Sequence, residues 1–186
     1  MKQPTLKTER LILRPFEISD APRVQLLAGD QEIADTTLNI PHPYEDGMAE
    51  QWIGTHKDGF EKGELANFAI VLKENNTLIG AIGLVINKRF HRAELGYWVA
   101  KDFWNQGYGS EAAERILEYG FMEKKLNKIF ASHLRRNPAS GRIMKKIGMK
   151  KEGEFREHAL KWDKYEDLIF YGITFNEWKE IAKEDI

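Results

Sequence analysis

The sequence predicts one α/β (α+β) domain, a mixed and mostly antiparallel twisted sheet of about six to seven strands flanked by helices. Three observations lead there. The hydrophobic period switches repeatedly between the strand and helix values along the chain. At 186 residues and 42% hydrophobic, the chain is long enough for one well-buried core and short for two, so residues 1–186 read as a single domain. The strand-like runs follow one another mostly as hairpins, and only the two on either side of a central helix are connected in a way that suits parallel pairing.

In chain order, "RLILRPF" suits a strand through Leu11, Ile12, Leu13 and Phe16. Asp20 then caps a helix that carries Pro22 in its first turn and continues through Val24, Leu26 and Leu27. The proline-containing stretch "TTLNIPHPYED" reads as a loop. Met48, Trp52, Ile53, His56 and Phe60 follow at helical intervals, which predicts a second helix ending near Gly63. From Asn67 the period becomes two, with Phe68, Ile70 and Leu72 against Ala69, Val71 and Lys73, and Glu74 to Thr77 turn the chain into "LIGAIGLVI". "AELGYWVA" is a further strand. A helix from about Ser110 to Glu123 buries Ala113, Ile116, Leu117, Gly120 and Phe121. "KIFASHL" is a strand, "NPASGRIMKKIG" a helix ending at Gly148, "LIFYGITF" a late strand and "NEWKEIA" a short final helix. The order is β, α, α, three antiparallel strands, α, β, α, β, β and a terminal helix.

Composition excludes several chemistries. With 28 basic and 29 acidic residues and a net charge of -1, no global field attracts nucleic acid. The absence of cysteine rules out disulfides, thiolate metal sites and a cysteine acyl-enzyme. The histidines fall in no HxxxH or HExxH spacing, so no metal is expected. "MKQPTLKTERLILRPF" holds no apolar run of signal-peptide type, and no later stretch suits a membrane span, so a soluble cytoplasmic protein without a membrane role is expected.

Three stretches carry possible chemistry. In "FWNQGYGSEA", Gln106, Gly107, Tyr108 and Gly109 can turn backbone N–H groups toward one point just before Ser110 and Glu111 open a helix, whose N-terminus favours an anion. The same glycines can simply tighten a strand-to-helix turn, and the local residues leave the two readings balanced. In "NPASGRIMKKIGM", Asn137 suits an N-cap and Pro138 the first helical position, which leaves the Ser140 hydroxyl free in the first turn. Arg142, Lys145 and Lys146 of this helix either meet phosphate or face solvent, and the residues alone favour solvent. In "HRAELGYWVA", alternation places Glu94, Gly96 and Trp98 on one face and Leu95, Tyr97 and Val99 on the other. Glu94 there is either a partly desolvated general base or a surface carboxylate paired with Arg92, and the residues alone favour the pair.

Taken in order, "ERLILRPFEISDAP", "LIGAIGL", "AELGYWV", "FWNQGYGSEA", "NPASGRIMKKIGM" and "EW" resemble the GCN5-related N-acetyltransferase (GNAT) superfamily, in particular its RimJ/RimL type of protein N-terminal acetyltransferase. The resemblance implies the GNAT fold with a splayed central parallel strand pair, acetyl-CoA as cosubstrate and no metal. It further implies that backbone groups from Gln106 through Gly107, Tyr108, Gly109, Ser110 and Glu111 hold the pyrophosphate. Gly107 and Gly109 match the last two positions of the family pattern [QR]-x-x-G-x-[GA], while Trp104 departs from it at the first. Backbone groups near Trp98, Val99 and Ala100 would bond pantetheine, with Asn137 opposite them and Lys146 on the phosphate side. A strand N–H near Val99 would stabilise the developing oxyanion. By the same resemblance Ser140 would protonate the departing thiolate and Glu94 would serve as base.

The reaction so implied is direct acetyl transfer to an amine. An α-amine, with a reference pKa near ~8 against ~10.4 for lysine, needs less help to lose its proton, which favours a protein N-terminus such as that of a ribosomal protein. A polyamine, antibiotic or amino acid is the alternative acceptor, and "TTLNIPHPYEDG" and "HALKWDKYEDL" are expected to border its cleft. A non-catalytic CoA-binding regulatory module is the alternative of another class, which the presence of Glu94, Asn137 and Ser140 disfavours. The family implies a monomer or a homodimer.

Overall fold

The computed structural model describes residues 2–184, and among these it forms one eight-stranded sheet. The strands are β1 (Leu6–Lys7), β2 (Leu11–Arg14), β3 (Leu65–Leu72), β4 (Leu78–Asn87), β5 (Arg92–Val99), β6 (Lys128–Leu134), β7 (Lys150–Lys161) and β8 (Lys164–Thr174), in the order β1-β2-β3-β4-β5-β6-β8-β7. Every neighbouring pair is antiparallel except β5 and β6. The strand count exceeds the six to seven expected because β1 spans two residues, too few for any period to register. β7 is mostly exposed, so no apolar alternation marks it. The segment "HALKWDKYEDL", expected as a cleft border, belongs to the β7–β8 hairpin, which turns at Trp162 and Asp163.

Helices cover both faces. α1 (Ala21–Ala28), α2 (Gln31–Thr36), α3 (Met48–Gly54) and α4 (His56–Glu61) precede β3; α5 (Tyr108–Met122) connects β5 to β6; α6 (Pro138–Lys146) follows β6; and α7 (Phe175–Glu184) follows β8. α2 lies in a stretch with too few apolar residues to show a helical period, and is started by Asp30, whose side chain accepts from the Glu32 N–H. The single helix expected over Met48 to Gly63 is two. Thr55 interrupts it, with its hydroxyl donating to the Trp52 carbonyl at 2.7 Å, a local bond that competes with the helical ladder.

α5 packs its buried face, including Ile116, Leu117 and Phe121, against β-sheet residues such as Phe68, Leu84 and Leu95. Gly120 permits the close approach: a Cβ there would lie 2.6 Å from Ile129 Cδ1. On the opposite face Ala69 and Val71 meet Val24, Ala28 and Ile53, with Trp52 and Trp98 at the margin. This two-sided covering fixes β5 centrally, so the alternation read from "AELGYWV" places Leu95, Tyr97 and Val99 toward α5 and Glu94, Gly96 and Trp98 toward α1–α4.

Candidate active site

The site begins where two strands part. β5 and β6 pair only at Arg92↔Lys128, Ala93↔Ile129 and Glu94↔Phe130. Beyond Glu94, β5 stays bonded to β4 as far as Gly80↔Val99, and β6 stays bonded to β8 as far as Leu134↔Leu168. The edge of β5 from Leu95 to Val99 therefore lacks a neighbouring strand among the described residues. Backbone polar groups on such an edge require partners, and a ligand with amide groups can supply them. A cavity of ≈ 780 Å³ passes through this opening and reaches both faces of the sheet.

On the α5 side the cavity is lined by Gly107, Tyr108, Gly109, Ser110, Arg142 and Lys146. Gly107 is the residue before the helix and has φ +83, a conformation that glycine adopts without a Cβ penalty. The helix starts at Tyr108, two residues earlier than the sequence suggests, and its first ladder bond runs from the Glu111 N–H to the Gly107 carbonyl at 3.0 Å. Glu111 thus offers no free N–H. The N–H groups of Tyr108, Gly109 and Ser110 have no acceptor among the described residues, and with the positive end of the helix dipole they suit a diphosphate. Arg142 and Lys146 add cationic side chains at that end.

The Glu111 side chain has a structural task. Its carboxylate accepts from Thr8 Oγ1, from the Arg10 N–H and from Arg10 Nε at 2.7 Å, and these donors hold its pKa below the usual range against a raising effect from burial. Arg10 also donates to the Gln106 carbonyl at 3.0 Å and lies over the Tyr108 ring at 4.4 Å. The loop is thereby fastened to the β1–β2 turn. Gln106 itself does not line the cavity; its side chain donates to the Asp102 carbonyl. Trp104, the departure from the family pattern, donates its indole N–H to the Val99 carbonyl at 2.6 Å, bracing the loop against the end of β5. Ala100 also lies outside the lining, and its N–H is used by the Ile79 carbonyl at 2.8 Å. Trp98 and Val99 do line the cavity.

α6 brings the next group. Asn137 is the expected cap, its Oδ1 accepting from the Ser140 N–H at 3.4 Å, while its Nδ2 donates to the Thr36 carbonyl at 3.0 Å. Ser140 lies in the first turn and lines the cavity. Its hydroxyl is 2.8 Å from the Tyr97 hydroxyl, which also donates to the Ser140 carbonyl at 3.1 Å. Burial pushes the Tyr97 phenol up to about 12, with the Ser140 contact acting in the opposite sense. The sequence assigns Tyr97 only to a strand face; its partner lies 43 residues away, a separation that no local pattern encodes.

Glu94 lines the cavity on the other side of the sheet. It forms no ion pair with Arg92 or any other described residue, and the surrounding protein partly desolvates it and raises its pKa. A carboxylate so placed can hold or accept a proton. The same cavity is lined by Ile33, Leu38, Ile40, Trp52, Asn67 and Val85, residues scattered over several segments of the chain.

The described residues contain no group of three or more His, Asp or Glu that could hold a metal, and no helix among them is long and apolar enough to cross a membrane.

Comparison with known proteins agrees with this geometry. Residues 10–150 match the acetyltransferase (GNAT) domain. The chain is 36% identical over 176 residues to the uncharacterized N-acetyltransferase YnaD of Bacillus subtilis (strain 168), covering 93% of this chain and 98% of that one. It is 22% identical over 179 residues to the [ribosomal protein uS5]-alanine N-acetyltransferase of Escherichia coli (strain K12), covering 93% and 92%. A crystal structure of a GNAT-family acetyltransferase from Bacillus anthracis superimposes with a TM-score of 0.82 at 30% identity, over 93% of this chain and 99% of that one. With its splayed strands and its helix N-terminus of free N–H groups, the chain belongs to the GNAT family and is an acetyl-CoA-dependent N-acetyltransferase.

Proposed function

We propose that the acceptor is the α-amine at the N-terminus of a protein, such as a ribosomal protein. The observation that carries this reading is the charge of the cavity. Among the described residues lining it, Glu94 is the only carboxylate, and the acceptor side is otherwise built from uncharged residues, the apolar Ile33, Leu38, Ile40, Trp52 and Val85 with Thr36, Thr37, Asn39 and Asn67. A polyamine or an aminoglycoside would bring several cations into a wall that offers one counter-charge, and each unpaired cation would be desolvated at high cost. An amine attached to a neutral chain meets one carboxylate and an uncharged wall. The name of the Escherichia coli relative, an alanine N-acetyltransferase of a ribosomal protein, points the same way.

In this reading, the N–H groups of Tyr108, Gly109 and Ser110 hold the pyrophosphate of acetyl-CoA with Arg142 and Lys146 beside them, and the open edge of β5 bonds its pantetheine. Glu94 draws a proton from the incoming ammonium, directly or through water. The amine nitrogen attacks the thioester carbonyl, the carbon–sulfur bond breaks, and Ser140 gives its hydroxyl proton to the leaving sulfur. Tyr97 then restores the Ser140 proton across their 2.8 Å contact and regains its own from solvent, which also takes the second proton shed by the nitrogen as the amide forms. With no cysteine in the chain, no thiol-bound acyl-enzyme intervenes.

The test is acetylation of a panel of short peptides and small amines, followed by thiol release from acetyl-CoA. Peptides with a neutral first residue should be acetylated at the α-amine. Transfer to spermidine or an aminoglycoside, with every peptide inert, would refute the reading.

A further inference from the structure

We propose that Asn67, with Gly83 and Gly96 beside it, forms a second contact for the acceptor, in which Asn67 Oδ1 receives an N–H beyond the reacting nitrogen: the first peptide N–H of a polypeptide. The inference rests on the N-terminus reading above and adds a specificity residue to it.

The three residues lie in register across the sheet, Asn67↔Gly83 between β3 and β4 and Gly83↔Gly96 between β4 and β5. All three line the cavity, on the face that also presents Glu94 and Trp98. The two glycines are there for different reasons. A Cβ on Gly83 would lie 1.9 Å from Asn67 Oδ1, so the Asn67 amide rests on the bare backbone of β4. A Cβ on Gly96 would meet nothing within 4 Å, and its φ is outside the left-handed range. Packing and backbone therefore both permit a side chain at 96. What glycine supplies there is open backbone on the cavity floor.

Asn67 is held in one orientation. Its backbone carbonyl accepts from Gln3 Nε2 at 2.6 Å, and its Nδ2 lies 3.0 Å from His56 Nε2. His56 is 5% exposed, stands edge-on to Trp52 with centroids 4.5 Å apart, and burial lowers its pKa to about 4. The ring is neutral near pH 7; with the Asn67 amide oriented as in the structure, Nε2 accepts from Asn67 Nδ2 and the ring proton sits on Nδ1, which has no partner among the described residues. With Nδ2 so engaged, Oδ1 is the atom left over Gly83, and it meets no donor among the described residues. A half-buried carbonyl oxygen on a cavity wall calls for a donor.

Strand geometry sets the separation. Two strands across and two residues along, the Cα atoms of Asn67 and Glu94 are about 12 Å apart, with both residues on the same face of the sheet. An α-amine directed at Glu94 and the peptide N–H that follows it fit between them, whereas a simple alkylamine has nothing to offer Asn67.

The experiment compares three acceptors with the full-length enzyme: a neutral dipeptide amide, the same compound N-methylated at its first peptide nitrogen, and butylamine. The native enzyme should acetylate the dipeptide with kcat/KM roughly three- to tenfold above the N-methyl compound, the effect of one hydrogen bond, expressed mainly in KM. Asn67→Leu should erase that preference, and Gly96→Ala should raise the dipeptide KM without lowering the melting temperature. Equal use of dipeptide and N-methyl compound by the native enzyme, or a preference that survives Asn67→Leu, overturns the inference while the N-terminus reading stands. If Asn67→Leu does not fold, the comparison in the native enzyme decides alone. Acetylation of butylamine with the dipeptide inert overturns both.

Discussion

The Tyr97 hydroxyl lies 2.8 Å from Ser140 Oγ and 3.1 Å from the Ser140 carbonyl oxygen, so a single phenolic proton has two acceptors on one residue. When it points to the carbonyl, the Ser140 proton turns toward Tyr97; when it points to Oγ, the Ser140 proton is free to reach the cavity. In the proposed reaction the pair acts as a unit. Ser140→Ala should lower kcat by about 10²-fold, the lower range for loss of a general acid, with acetyl-CoA affinity unchanged by calorimetry. Tyr97→Phe should lower it less, and the double variant should be no slower than Ser140→Ala. Additive losses would show that the two hydroxyls act independently.

Glu94 is expected to govern the acidic limb of the rate profile. Its carboxyl titrates above its ordinary range because it is partly desolvated, so kcat/KM should rise with pH as Glu94 loses its proton and becomes able to accept one. Glu94→Gln should lower turnover by about 10²-fold and leave only the titration of the acceptor amine. A variant that keeps both the native rate and the native acidic limb would remove Glu94 from the reaction.

The proposed phosphate end is predicted to depend on Gly107. Its φ is +83, and a Cβ added there would lie 3.3 Å from Arg10 Nη2. Gly107→Ala is therefore strained, at about 1 kcal/mol or more. The loop should shift, and acetyl-CoA should bind several-fold more weakly in a titration. Arg10→Met should weaken it too, by releasing Glu111 and the Gln106 carbonyl. Native affinity in both variants would dissociate this loop from the cosubstrate.

His56 links stability to pH. Burial lowers its folded pKa to about 4 from the ordinary 6.5, so the unfolded chain binds more protons between those values. The contribution is fully present above about pH 6.5 and is lost as pH falls toward 4, at most about 3 kcal/mol. Thermal melts of the native protein and His56→Phe over this range should show the native protein losing stability more steeply. Parallel curves would indicate that His56 is protonated in the fold without cost.

Much of what a local period or cap encodes is legible in the sequence, although the Asp30 cap of α2 is not read and Asp20, read as a cap, turns its side chain to Arg14 and the Glu17 N–H. The β3–β4 hairpin, the faces of β5, the buried stripe of α5 and the Asn137 cap are all found as read, because burial on one face enforces alternation and an N-cap needs only a few consecutive residues. The parallel pairing of β5 with β6 follows from the helix between them. What stays hidden depends on distant pairs: Arg10 with Glu111, Tyr97 with Ser140, and Asn67 with His56 across a helix and a strand. The start of α5 reads two residues late because Tyr108 and Gly109 are poor helix formers on propensity alone, and tertiary packing overrides that preference. The Arg92 pairing that the residues alone favour for Glu94 is one the fold does not make.

N-terminal proteomics of cells with and without this protein, with the purified enzyme used to restore the modification in the extract, tests the assigned acceptor most directly. One protein or a small set, each beginning with a neutral residue, should gain an acetyl group on its α-amine only when the enzyme and acetyl-CoA are present. An unchanged set of protein N-termini, together with acetylation of a small-molecule amine by the same enzyme, would contradict the assignment.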